Sequence, residues 1–235
     1  MKKIMFNDKY GLTEAVLSGR KTMTRRIVPI GIYNQTDWKA VSEGNYEAVS
    51  DGEGYWHDIR LCGQYQIGED VAVAQSYKTI YDTMDEKEGN SKANEWWCNM
   101  YARFGNPART QGYYNKMFVA AEYMPKRIRI TDIKVERLQD ISEEDCLREG
   151  IYKHNALPDA LGEDRYKFIS YAYDATQDKH RKRKWFPTPR EAFAALIDKV
   201  CKRGTWNSNP WVFAYEFELV NGNNASPTTT RPNIY

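Results

Sequence analysis

Two stretches limit the fold more than anything else in the chain: "RIRITDIKVERL" at residues 127–138 and "PWVFAYEFELV" at residues 210–220. Both read as long strands, because their large apolar residues recur with a period of two. In the second, Trp211, Phe213, Tyr215 and Phe217 share one face. In the first, Ile128 and Ile130 alternate with Arg127 and Arg129, and then Ile133 and Val135 take the other parity. A change of parity inside one strand predicts a bulge near Thr131–Asp132. Helical patterns are few and do not alternate regularly with the strands. The expected class is therefore α+β, built on a curved sheet or small β-barrel, and not a doubly wound parallel fold.

The helices that can be read are short and well punctuated. In "YGLTEAVLSG", Leu12, Val16 and Leu17 make an amphipathic stripe that Gly19 ends. "SEEDCLREG" at 142–150 begins with Ser142 as N-cap and ends at Gly150. "PREAFAALIDKVCKRG" at 189–204 starts on Pro189, turns Phe193, Leu196, Ile197 and Val200 to one side, and stops at Gly204. "TMTRRIVP" reads as extended up to Pro29, "GEDVAVAQSY" at 68–77 as a turn and a strand, and "MFVAAEYMP" at 117–125 as another apolar run. Between them lie three irregular segments, near 31–66, 78–116 and 151–188, expected as long loop insertions into a single domain over 1–220. Residues 221–235, rich in Asn, Pro and Thr, are expected to be a disordered tail.

A chain of 235 residues can bury a sizeable core without staples. The charges nearly cancel, 34 Lys and Arg against 32 Asp and Glu, so any basic footprint must be local. Cys62, Cys98, Cys146 and Cys201 contain no CxxC pair, and His57, His154 and His180 lie far apart. Neither a metal site nor a cofactor is expected, and the cysteines read as reduced thiols of a cytoplasmic protein. No apolar run reaches the roughly 20 residues that span a membrane.

Chemistry concentrates in "LSGRKTMTRR", residues 17–26, where six of ten residues are Arg, Lys or Thr just past the first helix. Arg20, Lys21, Arg25 and Arg26 offer donors to an anion or a base edge, and Thr22 and Thr24 offer hydroxyls. The plain alternative is an exposed turn and edge strand with its cations in solvent. A second basic run, "DKHRKRKWF" at 178–186, could set Arg181 and Arg183 on phosphates and stack Trp185 on a base, or could be a solvated loop. Tyr77, Trp96 and Trp97 lie in or beside a predicted loop and are stacking candidates, whereas Trp206 and Trp211 read as core. Arg129 adds a further cation on the long strand.

"LSGRKTMTRR" resembles the hallmark segment of ASCH-domain proteins, relatives of the PUA fold. "GEDVAVAQSY", "YMPKRIRITDIKVERLQDISEEDCLREGI" and "WNSNPWVFAYEFELV" resemble the family's later blocks in the same order. The likeness is nearest to the phage and prophage branch and covers about half the chain. It implies a small mixed β-barrel with flanking helices and a cleft beside the Arg-Lys-Thr segment, binding RNA or nucleobases. Some small bacterial members hydrolyse acetylated cytidine with a Lys, a Thr and a Glu; the matching positions are Lys21, Thr24 and Glu149. The branch usually carries Arg-Glu-aromatic after its second strand, where this chain has Ala74, Gln75 and Tyr77 in "VAQSY".

Three functions follow as expectations. The first is binding of a nucleobase, nucleotide or nucleic-acid segment in a cleft lined by "GRKTMTRR". The second is hydrolysis of an acylated nucleoside. Here a neutral Lys21 activates Thr24, and Glu149 orients the lysine or shuttles a proton. The third is a phage-assembly accessory that binds protein.

Overall fold

The computed structural model describes residues 1–45, 47–50, 55–153, 166–167 and 186–220. In chain order the elements are β1 (Lys3–Ile4), α1 (Leu12–Leu17), β2 (Met23–Ile27), α2 (Ile30–Tyr33), α3 (Trp38–Ser42), β3 (Glu47–Ser50), β4 (Tyr55–Asp58) and β5 (Asp70–Val73). These are followed by α4 (Tyr77–Glu88), α5 (Asn90–Phe104), β6 (Arg127–Arg137), α6 (Glu143–Arg148), β7 (Tyr152–Lys153), β8 (Tyr166–Lys167), α7 (Pro189–Val200), α8 (Thr205–Ser208) and β9 (Trp211–Val220).

The architecture is α+β around a five-stranded mixed sheet in the order β1-β5-β6-β9-β2. β1 runs parallel to β5, and the other pairs are antiparallel. The long pair β6–β9 forms the spine, and its register shifts between Ile130 and Asp132, where the change of parity predicts a bulge. The shift lets Ile128 and Ile130 before it, and Ile133 and Val135 after it, all reach the core. β1 and β2 are the two edges, and no ladder joins them. They approach each other nonetheless: Arg26 Nη2 on β2 donates to the carbonyl of Met5, just past β1, at 2.8 Å.

The helix starts at Ser142 and Pro189 act where they were read, but the stop read at Gly204 does not. Ser142 Oγ accepts from Asp145 N at the start of α6, and Thr188 Oγ1 accepts from Glu191 N at the start of α7. α7 ends at Val200, and Gly204, in the left-handed region at φ 91°, caps α8 instead. The main core joins Phe193, Leu196 and Ile197 of α7 to the strands through Phe213, Tyr215 and Phe217. Trp211 is buried and Trp206 is partly buried against the same core, as read from the sequence.

Two of the expected loop insertions contain regular structure. Residues 78–116 are mostly the helical hairpin α4–α5, broken at Gly89, followed by 3-10 turns. Its inner face brings Tyr77 and Met100 against Ala72, Ala74, Val119 and Met124 in a second, smaller cluster. Residues 31–66 hold α2, α3 and the β3–β4 hairpin. The run at 117–125 is wound into 3-10 turns. Most of 151–188 and all of 221–235 lie outside the described residues. No helix among the described residues is long and apolar enough to cross a membrane.

Candidate functional site

Past α1 the chain turns at Gly19, which takes φ 73°. Lys21 N then donates back to Ala15 O at 2.8 Å, and Thr22 N donates to Arg148 O at 2.9 Å. Pinned between α1 and the last turn of α6, this loop delivers Lys21 inward, where it is 2% exposed. Its Nζ donates to Glu149 Oε2 at 2.5 Å and to Glu149 O at 2.8 Å. Glu149 caps the C-terminus of α6 and is 4% exposed. It is therefore not the solvated charge that a carboxylate at a helix end often is.

Arg25, on β2, reaches the same carboxylate from Nη1 at 3.2 Å. It also donates to Glu136 on β6 at 2.6 and 2.9 Å and to Asp145 on α6 at 3.1 Å. The network continues through Arg148 to Glu216 at 2.7 Å and through Lys134 to Glu216 at 2.9 Å. Four cations (Lys21, Arg25, Lys134, Arg148) thus face four carboxylates (Glu136, Asp145, Glu149, Glu216), and this patch presents no net positive charge.

Burial pushes the Lys21 ammonium below the usual lysine range. Arg26 and Arg25 add to the shift, and Glu149 opposes it without cancelling it. Burial also works against the Arg25 charge, but Glu149, Glu136 and Asp145 together outweigh it and hold its pKa up. The hydrogen bond from Arg148, with help from Lys134, draws Glu216 down from 4.5 to about 2. A depressed carboxylate stabilises the fold above its unfolded pKa, and that contribution disappears as pH falls through the folded value. Glu216→Gln is therefore expected to remove part of the acid-unfolding slope between pH about 4.5 and about 2. Melting curves over that range check this; an unchanged slope would count against the assignment.

Thr24 is buried and sits opposite Tyr215 in the β2–β9 ladder, with Arg26 opposite Phe213. Thr24 and Arg26 therefore share the inner face of the sheet, while Arg25 turns to the α6 side. The Thr24 hydroxyl makes no hydrogen bond with the described residues. Lys21 precedes the strand, so strand alternation does not constrain where its side chain goes. The Phe6 ring lies beside both cations, 5.7 Å from Lys21 Nζ and 5.8 Å from Arg26 Cζ.

The other candidates separate into three groups. Arg20 donates to Gly150 O at 2.9 Å and lies over the Tyr152 ring, and Thr22 Oγ1 accepts from Arg148 at 3.3 Å; both brace the loop that carries Lys21. Two expectations are corrected. Tyr77 is 6% exposed and packed against Trp96 and Gly112, so no base can stack on it. Arg129 is paired with Asp70 at 2.8 Å. It lies seven residues along β6 from Glu136, about 23 Å at strand rise, and so is remote from the site. Arg181, Arg183 and Trp185 fall outside the described residues.

Sequence reasoning missed Phe6, Glu136, Asp145, Arg148 and Glu216 as members of the cluster. A partial signal existed: Asp145, Arg148 and Glu149 stand at i, i+3 and i+4, one polar stripe on a short helix. All four cysteines are free thiols. Among the described residues, no group of three or more His, Cys, Asp or Glu could hold a metal ion. No family model, no curated protein and no solved structure matches the chain.

Proposed function

We propose that residues 1–220 form an ASCH-type, PUA-like domain whose "GRKTMTRR" segment walls a cleft for a nucleobase. The base would arrive as a nucleoside, as a nucleotide, or splayed from a nucleic-acid strand. The observation that carries this reading is the inward turn of the segment. Lys21, Thr24 and Arg25 are each less than 8% exposed, and Lys21 is locked to Glu149 instead of fanning into water. The reach of Arg26 from one sheet edge to the other supports a barrel-like closure. Lys21 and Arg25 are spent on carboxylates, so the base itself and not the phosphate chain is the recognised element. Binding of uridine and N4-acetylcytidine should then change little between about 50 and 200 mM salt, a range over which phosphate-driven binding falls steeply. Titration of the purified chain checks this. No nucleoside binding at millimolar concentration would refute the reading, as would RNA binding with a steep salt slope.

A second reading is favoured by one observation, the depressed Lys21 pKa beside Glu149. A neutral Lys21 amine can take the Thr24 hydroxyl proton, and the alkoxide can then attack the acyl carbon of an acylated nucleoside. As the C–N bond breaks, Lys21 returns the proton to the leaving amine, with Glu149 holding the lysine in place. Water then hydrolyses the acyl-threonine, releasing the acid and restoring the hydroxyl. Thr24→Val should retain N4-acetylcytidine binding but lose release of cytidine by about 100-fold or more. Equal turnover by the variant would exclude Thr24 as nucleophile.

A further inference from the structure

Buried polar atoms in folded proteins nearly always have partners, so each exception calls for a physical explanation. Two of the exceptions here are the Nε of Arg26 and the Oε1 of Gln75. The first lies beside the Phe6 ring, and the strand register points the second toward the same ring. The Arg26 guanidinium lies 5.8 Å from the Phe6 centroid. In the β1–β5 register Ile4 pairs with Val73, and Ala74 N donates to Ile4 O at 2.9 Å. Carried two residues past the end of the ladder, this register would bring Gln75 level with Phe6 and on the same face. Gln75 is 2% exposed and makes no hydrogen bond with the described residues. The donor and the acceptor do not satisfy each other, and Lys21 Nζ lies 5.7 Å from the Phe6 ring.

We propose that Arg26 Nε–H and Gln75 Oε1 together read one uncharged cis –C(=O)–NH– unit, the lactam edge of a nucleobase or of another cyclic amide. The ligand carbonyl accepts from Arg26, the ligand N–H donates to Gln75, and the Phe6 ring covers the plane of the unit. The chemistry at position 75 sets the class. A carboxylate there would select a cationic or strongly donating partner, whereas an amide pairs with a neutral one without charge to compensate. This inference rests on the nucleobase reading and specifies which edge of the base is recognised.

The test uses the full chain and two pairs of probes that differ only by the N–H: uridine against 3-methyluridine, and 2-pyrrolidinone against N-methyl-2-pyrrolidinone. Leaving a buried acceptor unpaired weakens binding by about tenfold or more. Wild-type protein should therefore bind uridine at least about tenfold more tightly than 3-methyluridine. Gln75→Leu should erase the difference by weakening uridine alone. The same variant should melt at or above the wild-type temperature, because it exchanges an orphaned amide for an apolar side chain. That result separates lost recognition from lost folding.

Equal affinity for the two members of both pairs overturns the inference, even if nucleosides bind well. A Gln75→Leu variant that melts lower and keeps the wild-type preference for uridine also overturns it, since Gln75 would then be structural. If 2-pyrrolidinone is preferred over its N-methyl analogue and no nucleoside binds, the amide-reading pair stands and the nucleobase reading falls.

Discussion

Arg25→Met is expected to destabilise the fold by about 3–5 kcal/mol at neutral pH, as breaking a buried ion pair does when it strands its partners. The Arg25 side chain is 1% exposed and is shared by Glu136, Asp145 and Glu149, which come from β6 and from α6 with its C-cap. Methionine fills the same space beside Met23 but neutralises nothing. Glu149 keeps Lys21, whereas Glu136 loses its cation and Asp145 keeps only the longer contact to Arg148 at 3.4 Å. The penalty comes from the stranded negative charge. Denaturant titrations at pH 7 measure it, and a gap below about 1 kcal/mol would mean that the network contributes little to stability.

Lys21→Met should give the opposite combination: a fold nearly as stable as wild type and a site that no longer works. The variant removes an ammonium whose burial is unfavourable, and Glu149 retains Arg25 as its partner. If Lys21 is the base, release of cytidine from N4-acetylcytidine should fall by at least about 100-fold. In wild type the rate should rise as Lys21 loses its proton and level off at a pH below 10.5, since its pKa is lowered; the variant should lack that limb. Stability supplies an independent readout. Between the folded Lys21 pKa and 10.5 the unfolded chain binds more protons than the folded one, so wild-type stability gains with rising pH there and Lys21→Met loses that gain. A variant that keeps wild-type turnover would remove Lys21 from the chemistry. A variant with the wild-type pH dependence of stability would show that the lysine is not held in a desolvated site.

How much could be read in advance depended on where each signal lay along the chain. β6 and β9 are legible because they are long and period-two, and the bulge shows as a change of parity at Thr131–Asp132. The start of α6 is legible because Ser142 is a local cap. The α4–α5 hairpin is not. Its exposed positions mix polar residues with Tyr101 and Phe104, and its buried face rests on a few well-spaced side chains such as Tyr77, Ala93 and Met100, so no helical period stands out. β1 is illegible for a different reason: two residues have no period, and they form a strand only because β5 lies alongside. Tyr77 was misread because its segment looked like a loop; once that segment is a helix, the ring becomes its anchor.

The sequence by itself determined the chemical stock of this protein: a cationic, hydroxyl-bearing turn after α1, two long strands to build on, and a carboxylate at the end of a capped helix. Only the tertiary structure decided what that turn faces. Lys21 and Arg25 meet carboxylates 111 to 128 residues later in the chain, and that meeting draws two cations and three acids into one ion-pair network with Lys21, Arg25 and Glu149 buried at its centre. Local sequence encodes backbone preference and charge. The value of a charge depends on the solvent it loses and the partners it gains, and both are set by the packing of distant segments.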